Sequence, residues 1–145
     1  MNKNYLEPNQ EGINELFSRN IKGEFVMLNF LRFRTVADYS ATPELAPDKD
    51  ISGKEAYQLY IDHTLPFLKE SGGDIIFLGE GGGYMIGPRD ERWDLVMLIR
   101  QKSLDVFKMF ASNSEYLAGF GHRQAGIEDS RLLPLETLSG NTITT

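Results

Sequence analysis

Three polar side chains are the first candidates for chemistry in this sequence: Asn29, His63 and Arg123. Asn29 interrupts the apolar run at 25–33, and His63 falls on the apolar stripe of a predicted helix. Imidazole is the side chain best suited to proton transfer near neutral pH, and a guanidinium can grip a carboxylate or enolate with two hydrogen bonds. The predicted catalytic roles are proton transfer by His63, substrate orientation by Asn29 and stabilisation of a developing negative charge by Arg123.

Each of these residues also has a purely structural interpretation. A buried amide that finds no partner costs about 1 to 3 kcal/mol, so Asn29 could simply be paired with backbone. A lone histidine on an apolar face is more often a core residue than a catalytic one. Arg123 could form an ion pair with a nearby acidic residue: Glu115, Glu128 or Asp129. Both interpretations remain open for all three residues.

Three further side chains are candidate ligand-binding residues: Tyr60, Tyr84 and His122. Tyrosine hydroxyls can donate hydrogen bonds to a ligand, although aromatic rings are commonly core residues. The chain has no cysteine and only 2 histidines, and this composition argues against a metal site. The glycine-rich stretch 79–87 lacks the spacing of a dinucleotide site. We therefore expect neither a metal nor a cofactor.

Length and charge narrow the class of protein. The 145 residues suit one domain, and 41% hydrophobic residues allow a real core. A net charge of −6 argues against nucleic acids and anionic membranes as partners, because phosphate binding needs clustered Lys and Arg. No apolar run reaches the roughly 18 to 20 residues of a membrane span. The N-terminus lacks the apolar run of a signal peptide, so we expect a cytoplasmic protein.

Hydrophobic periodicity predicts one leading helix followed by alternating strands and helices. The predicted helices are 9–23, 52–70 (started by a Ser52–Glu55 capping box) and a broken helical region from 103. The predicted strands are 24–34, 74–78 continued at 84–86, 93–101 and 131–138, with Pro134 indicating an edge strand. The segment 35–51 is predicted to be a loop.

This order predicts an α+β fold of the ferredoxin-like type, β-α-β-β-α-β, with a four-stranded antiparallel sheet and an extra N-terminal helix. We expect an N-terminal helical extension at 1–23, the ferredoxin-like domain at 24–138 and a tail at 139–145. Helices cover one face of such a sheet, and the strands at 24–34 and 93–101 are apolar on the other face too. A second copy of the chain is the simplest cover, so we expect a homodimer through the open sheet face.

Short motifs in the same region resemble one protein family. They are Lys54-Glu55-Ala56-Tyr57-Gln58-Leu59-Tyr60, Pro66-Phe67-Leu68, Gly72-Gly73, and Ser112-Asn113-Ser114-Glu115-Tyr116 with Arg123 downstream. Over 24–138 the chain is thereby similar to the DUF1330-type proteins of the dimeric α+β barrel superfamily. The resemblance implies a homodimer with a ligand-sized cavity between sheet and helices. It implies no particular reaction, because fold alone does not determine chemistry.

Three functional hypotheses follow. The leading one is a homodimeric, cofactor-independent enzyme acting on an aromatic or enolisable compound, with Asn29 and His63 lining one pocket. The second is a non-catalytic ligand-binding protein, and the third is a structural dimer without a ligand pocket. A cavity smaller than about 300 Å³ would favour the third hypothesis.

Overall fold

A computed structural model describes residues 4–140 and 142–143. Parts of the predicted N-terminal extension and tail, at 1–3, 141 and 144–145, lie outside the described residues. The helices are α1 (Gln10–Ser18), α2 (Gly53–Glu70), α3 (Leu104–Ala111), α4 (Ser114–Leu117) and α5 (Phe120–Gly126), with one 3-10 turn at Pro43–Leu45. The strands are β1 (Phe25–Phe33), β2 (Asp74–Glu80), β3 (Leu95–Gln101) and β4 (Ile127–Leu135).

The four strands form one antiparallel sheet in the order β2-β3-β1-β4. This order confirms the predicted ferredoxin-like α+β topology. β1 and β3 are the central strands, as their nearly continuous apolar runs indicated. Pro134 lies on the edge strand β4, which pairs with β1 on one side only, so a residue without an N–H is tolerated there.

Helix α2 forms one wall of the helical layer, and its start is fixed by local contacts. Its capping box is formed as predicted: the Glu55 N–H donates to Ser52 Oγ over 3.0 Å, and the Ser52 N–H donates to Glu55 Oε1 over 2.9 Å. The helix then packs closely on α5, since a Cβ on Gly126 would lie 2.5 Å from the Gly53 carbonyl oxygen. This close approach sets the distance at which α5 presents its side chains to α2.

Several predicted boundaries are wrong. Strand β2 does not resume at 84–86; instead Met85 and Ile86 are 99% and 92% exposed at the tip of a loop. Helix α1 ends at Ser18, before Gly23, because Asn20 turns the backbone into the left-handed region at φ 52°. Strand β4 begins at Ile127 rather than at 131, because the chain passes directly from α5 into the sheet.

The two faces of the sheet differ in their cover. On the helical side, Leu16 of α1 and Ile21 join a core cluster with Phe25 and Met27, so the N-terminal helix shares the core of the sheet. The domain boundaries themselves remain a prediction. No helix among the described residues has the length and apolarity needed to cross a membrane.

The opposite face of the sheet, here called the open face, carries apolar side chains in register. Leu28 of β1 lies between Leu98 of β3 and Leu133 of β4. Trp93 packs on one end of this face, with its ring 5.8 Å from that of Phe30. Elsewhere Phe77 and Leu133 are 55% and 52% exposed.

Candidate functional site

A cavity of about 70 Å³ lies between α2 and the helical side of the sheet. Its walls come from α2, from the three strands β1, β2 and β3, and from single side chains of α3 and α5. Much of the lining is apolar, and the side chains with polar groups that line it are Asn29, Tyr57, Tyr60, Thr64, Gln101 and Arg123. The structure thus brings together three of the predicted site residues: Asn29, Tyr60 and Arg123.

The volume of the cavity limits what it can hold. One water molecule needs about 10 to 15 Å³ of such space, and a cavity of about 150 Å³ is known to hold benzene. The observed 70 Å³ therefore suits an occupant of about three non-hydrogen atoms on the benzene scale and of at most about seven on the water scale. It lies below the roughly 300 Å³ of ordinary ligand sites, which favours the structural-dimer hypothesis.

Arg123 lines the cavity from α5 without an anionic partner. Its Nη1 donates to the Leu6 carbonyl oxygen over 2.6 Å, and its guanidinium carbon lies 5.6 Å from the centre of the Phe120 ring. Among the residues that the structure describes, no carboxylate oxygen lies within 4.0 Å of it, so the anticipated structural ion pair is not formed. A half-buried cation thus faces the cavity unpaired.

The neighbouring tyrosines form a hydroxyl pair. The hydroxyl oxygens of Tyr60 and Tyr116 are 2.8 Å apart, so one donates to the other and the acceptor keeps its own proton free. Burial, reinforced by Tyr60, raises the pKa of Tyr116 against the opposing charge of Arg123, and the phenol stays protonated. When Tyr116 donates to Tyr60, the Tyr60 hydroxyl can donate into the cavity.

Asn29 lies where the period-two pattern of β1 predicted it. Its side chain lines the cavity, and its Nδ2 donates to the Met27 carbonyl oxygen over 3.2 Å. Its Oδ1 accepts no hydrogen bond from residues 4–140 or 142–143. The amide is thus half satisfied by backbone and half available to an occupant.

His63 is separated from this cavity. Its Nε2 shares a 2.7 Å hydrogen bond with the Glu115 carbonyl oxygen, and its ring lies so close to Gly119 that a Cβ there would collide with it. The prediction that His63 and Asn29 line one pocket is therefore wrong for His63. Neighbouring residues of a helix are about 100° apart, so Thr64 points into the cavity while His63 faces α4.

Tyr84 and His122 also lie away from the cavity. The Tyr84 hydroxyl accepts a hydrogen bond from the indole N–H of Trp93 over 2.7 Å. His122 Nδ1 and the Tyr39 hydroxyl are 2.7 Å apart. Burial, together with the nearby His63, lowers the pKa of His122 and favours its neutral form. Ligand binding by either residue remains a prediction.

Two polar residues of the cavity were not anticipated from the sequence. Thr64 and Gln101 are 8% and 3% exposed, and neither Thr64 Oγ1 nor Gln101 Oε1 has a hydrogen-bond partner in the described chain. Gln101 shares the inward parity of Met97 and Ile99 on β3, which is the signal that could have revealed it. No group of three or more His, Asp or Glu side chains within the described ranges could hold a metal ion.

Two of the solved structures that are similar to this chain match nearly its whole length. No family model matches the chain, and no curated protein sequence is significantly similar to it. The crystal structure of methylated RPA0582 protein is 31% identical, with a TM-score of 0.82, and the match covers 96% of this chain and 98% of that one. A second structure of RPA0582, a protein of unknown function from Rhodopseudomonas palustris, is 31% identical over 95% and 100% of the two chains, with a TM-score of 0.79.

A more distant structure shares less with the chain. It is a dimeric protein of unknown function and ferredoxin-like fold from Bacteroides fragilis, 15% identical over 81% of this chain and 99% of that one. The TM-score between the two structures is 0.41.

Proposed function

The chain belongs to the family of the RPA0582 protein, and on that premise we propose that it is a homodimeric protein that binds a small organic acid in the cavity beside α2. The observation that carries this proposal is the unpaired guanidinium of Arg123 in the cavity wall. The neighbouring hydroxyl of Tyr60 adds a neutral hydrogen-bond donor.

A carboxylate is the chemical group that completes this arrangement best. A buried or half-buried cation is costly unless an anion and hydrogen-bond acceptors accompany it. Arg123 uses Nη1 on the Leu6 carbonyl oxygen and has further N–H groups for a carboxylate, which guanidinium binds in two-pronged fashion. The proposed ligand therefore places its acid group between Arg123 and Tyr60.

The geometry favours binding over catalysis. The enzyme hypothesis requires an imidazole beside the ligand, and His63 instead bonds the backbone of α4. The tyrosine hydroxyls do not replace it as a base, because burial raises the pKa of Tyr57 and Tyr116. Benzene occupies a cavity of about twice this size. A short-chain acid, enolisable acids included, fits better than an aromatic ligand.

Calorimetric titration of the straight-chain acids from formate to pentanoate tests the proposal directly. We expect wild-type protein to bind at least one of them, and Arg123→Gln to bind it at least tenfold more weakly because the charge is lost. Arg19→Gln is the matched control, since Arg19 also donates to a backbone carbonyl, that of Pro134, but outside the cavity. Failure of every acid to bind the folded wild-type protein would refute the proposal.

The homodimer is the second part of the proposal. The apolar strip of the open face, formed by Leu28, Phe77, Leu98 and Leu133, is the surface that a second copy would cover. Sedimentation should give a mass of two chains for wild-type protein and of one chain for Leu133→Glu. Leu59→Glu, at a 40% exposed position on the outer side of α2, is the control and should stay dimeric.

Two finer predictions accompany this proposal. The motifs around Tyr57 and Tyr116 support a relation to the DUF1330-type proteins, which would bring the dimeric α+β barrel arrangement with it. A cytoplasmic location remains a prediction from the sequence.

A structural dimer without a ligand is the second candidate function, favoured by the volume of 70 Å³. It predicts that the wild-type protein sediments as a dimer while no acid binds. The unpaired polar groups of the cavity favour the binding protein instead, because buried polar groups with a purely structural role are nearly always hydrogen-bonded within the protein.

A further inference from the structure

The end of the cavity formed by Thr64 and Gln101 holds two buried polar atoms without partners. Thr64 Oγ1 and Gln101 Oε1 form no hydrogen bond within the described residues, and Gln101 is only 3% exposed. Buried polar side-chain atoms in proteins nearly always have a partner, since desolvation without one is costly. Both atoms line the same cavity, so an occupant of that cavity would supply the missing partners.

These two atoms lie at the opposite end of the cavity from Arg123. Helix α2 starts beside the end of β1, where the Gly53 N–H donates to the Arg34 carbonyl oxygen, and Tyr57 packs against Met97 of β3. Thr64 is seven residues beyond Tyr57, about 10 Å along the helix. Gln101 is four residues beyond Met97, about 13 Å along the strand.

Arg123 belongs to the other end. Its charge acts on the hydroxyls of Tyr57 and Tyr116, and the Tyr116 hydroxyl bonds that of Tyr60. Much of the remaining wall is apolar and includes Ile61, Leu65, Ile99 and Phe110. The cavity lining thus combines a cation near the tyrosine hydroxyls, apolar side chains, and two neutral hydrogen-bonding groups farther along α2 and β3.

We infer that the ligand is a short-chain hydroxy acid whose hydroxyl group, remote from its carboxylate, binds between Thr64 and Gln101. This inference rests on the proposed binding of an acid at Arg123. A single hydroxyl satisfies both orphaned atoms, because it can donate to Gln101 Oε1 and accept from the Thr64 hydroxyl. An ammonium group fits this end less well, because neither residue carries a compensating charge.

The test compares butanoate with its terminal hydroxy derivative by calorimetric titration of the full chain. We expect wild-type protein to bind the hydroxy acid about tenfold more tightly than butanoate, as one well-placed pair of hydrogen bonds allows. Gln101→Met and Thr64→Val keep side-chain size while removing the polar atom, and each should abolish most of this preference for the hydroxy acid over butanoate.

The control variant is Gln58→Met, on the outer side of α2, where Gln58 donates to Asp62 over 2.9 Å. It should keep the wild-type preference. Equal binding of the two acids by wild-type protein would overturn the inference while leaving the proposed acid site intact. A preference that persists in Gln101→Met would also overturn it, since water rather than the ligand hydroxyl would then satisfy Gln101. If neither acid binds, the proposed function fails as well.

Discussion

Two regions of this molecule contain half-buried arginines, and they differ in whether a carboxylate of the protein pairs with the charge. In the strand-end cluster (Arg32, Glu128, Asp129 and Arg131), Arg131 Nη1 lies 2.6 Å from Asp129 Oδ1, and Arg32 Nε lies 2.9 Å from Glu128 Oε2. The cavity beside α2 presents Arg123 with no carboxylate partner in the described chain. One network is complete within the protein and the other is not.

The difference separates a structural network from a candidate binding site. Asp129 is only 2% exposed, yet its oxygens accept hydrogen bonds from Arg131 and from the backbone N–H groups of Tyr5 and Ser130. A fully satisfied network of this kind holds elements together, here the N-terminal segment and β4. Unpaired polar groups in a cavity cost stability. We therefore expect them at sites where a bound ligand supplies the missing partner.

Removing the carboxylate of the strand-end cluster should give the largest effect. Asp129→Ala leaves Arg131 and two backbone N–H groups without their acceptor, and we expect a loss of about 3 to 5 kcal/mol in the free energy of unfolding. Urea unfolding measures it. Glu128→Ala is the control, because that carboxylate is 49% exposed and should cost about 0 to 1 kcal/mol. Equal losses in the two variants would show that the cluster is not a structural network.

The same carboxylate should make stability sensitive to acid. Burial by itself raises the pKa of Asp129, but the Tyr5 N–H and the charge of Arg131 outweigh it, and the net pKa is lowered. Its contribution is therefore complete above the ordinary aspartate pKa of about 4 and is lost as pH falls through the lowered value. Urea midpoints of wild type should fall more steeply than those of Asp129→Asn below about pH 4. Parallel curves would contradict this assignment.

Removing an unpaired polar atom from the cavity should raise the free energy of unfolding instead of lowering it. Gln101→Met eliminates a buried oxygen that has no partner, so we expect the ligand-free protein to gain about 1 kcal/mol of stability. Urea unfolding of dialysed protein measures the gain, and Gln58→Met on the exposed side of α2 should change little. A clear loss in Gln101→Met would indicate that the amide is satisfied within the protein, as the strand-end cluster is.

The fold could be predicted from the sequence because its signals are local. The apolar runs of β1 and β3 placed them in the centre of the sheet, Ser52 and Glu55 marked the start of α2, and Pro134 marked an edge strand. The loop with Met85 and Ile86 was misassigned, because apolar residues after a glycine run look the same in a strand as in an exposed loop.

The site was predicted only in part, because it depends on contacts between distant segments. Period two placed Asn29 in the cavity correctly, but the helical stripe of α2 is wide enough that His63 faces α4 rather than the sheet. The lack of an ion pair at Arg123 could not be foreseen, because Asp129 instead pairs with Arg131, two residues farther along β4. Gln101 was overlooked as the end of an apolar strand.

The smallest expected effect concerns His122, which belongs to neither region. Burial and the nearby His63 lower its pKa, so the folded state favours the neutral ring bonded to the Tyr39 hydroxyl. Its contribution is therefore complete above the unperturbed histidine pKa of about 6.5 and declines as pH falls towards the lowered value. Urea midpoints of wild type should decrease slightly between about pH 7.5 and about pH 5.5. His122→Gln should reduce that decrease, whereas Tyr39→Phe, which keeps the imidazole, should retain it; an unchanged slope in His122→Gln would assign the titration to another group.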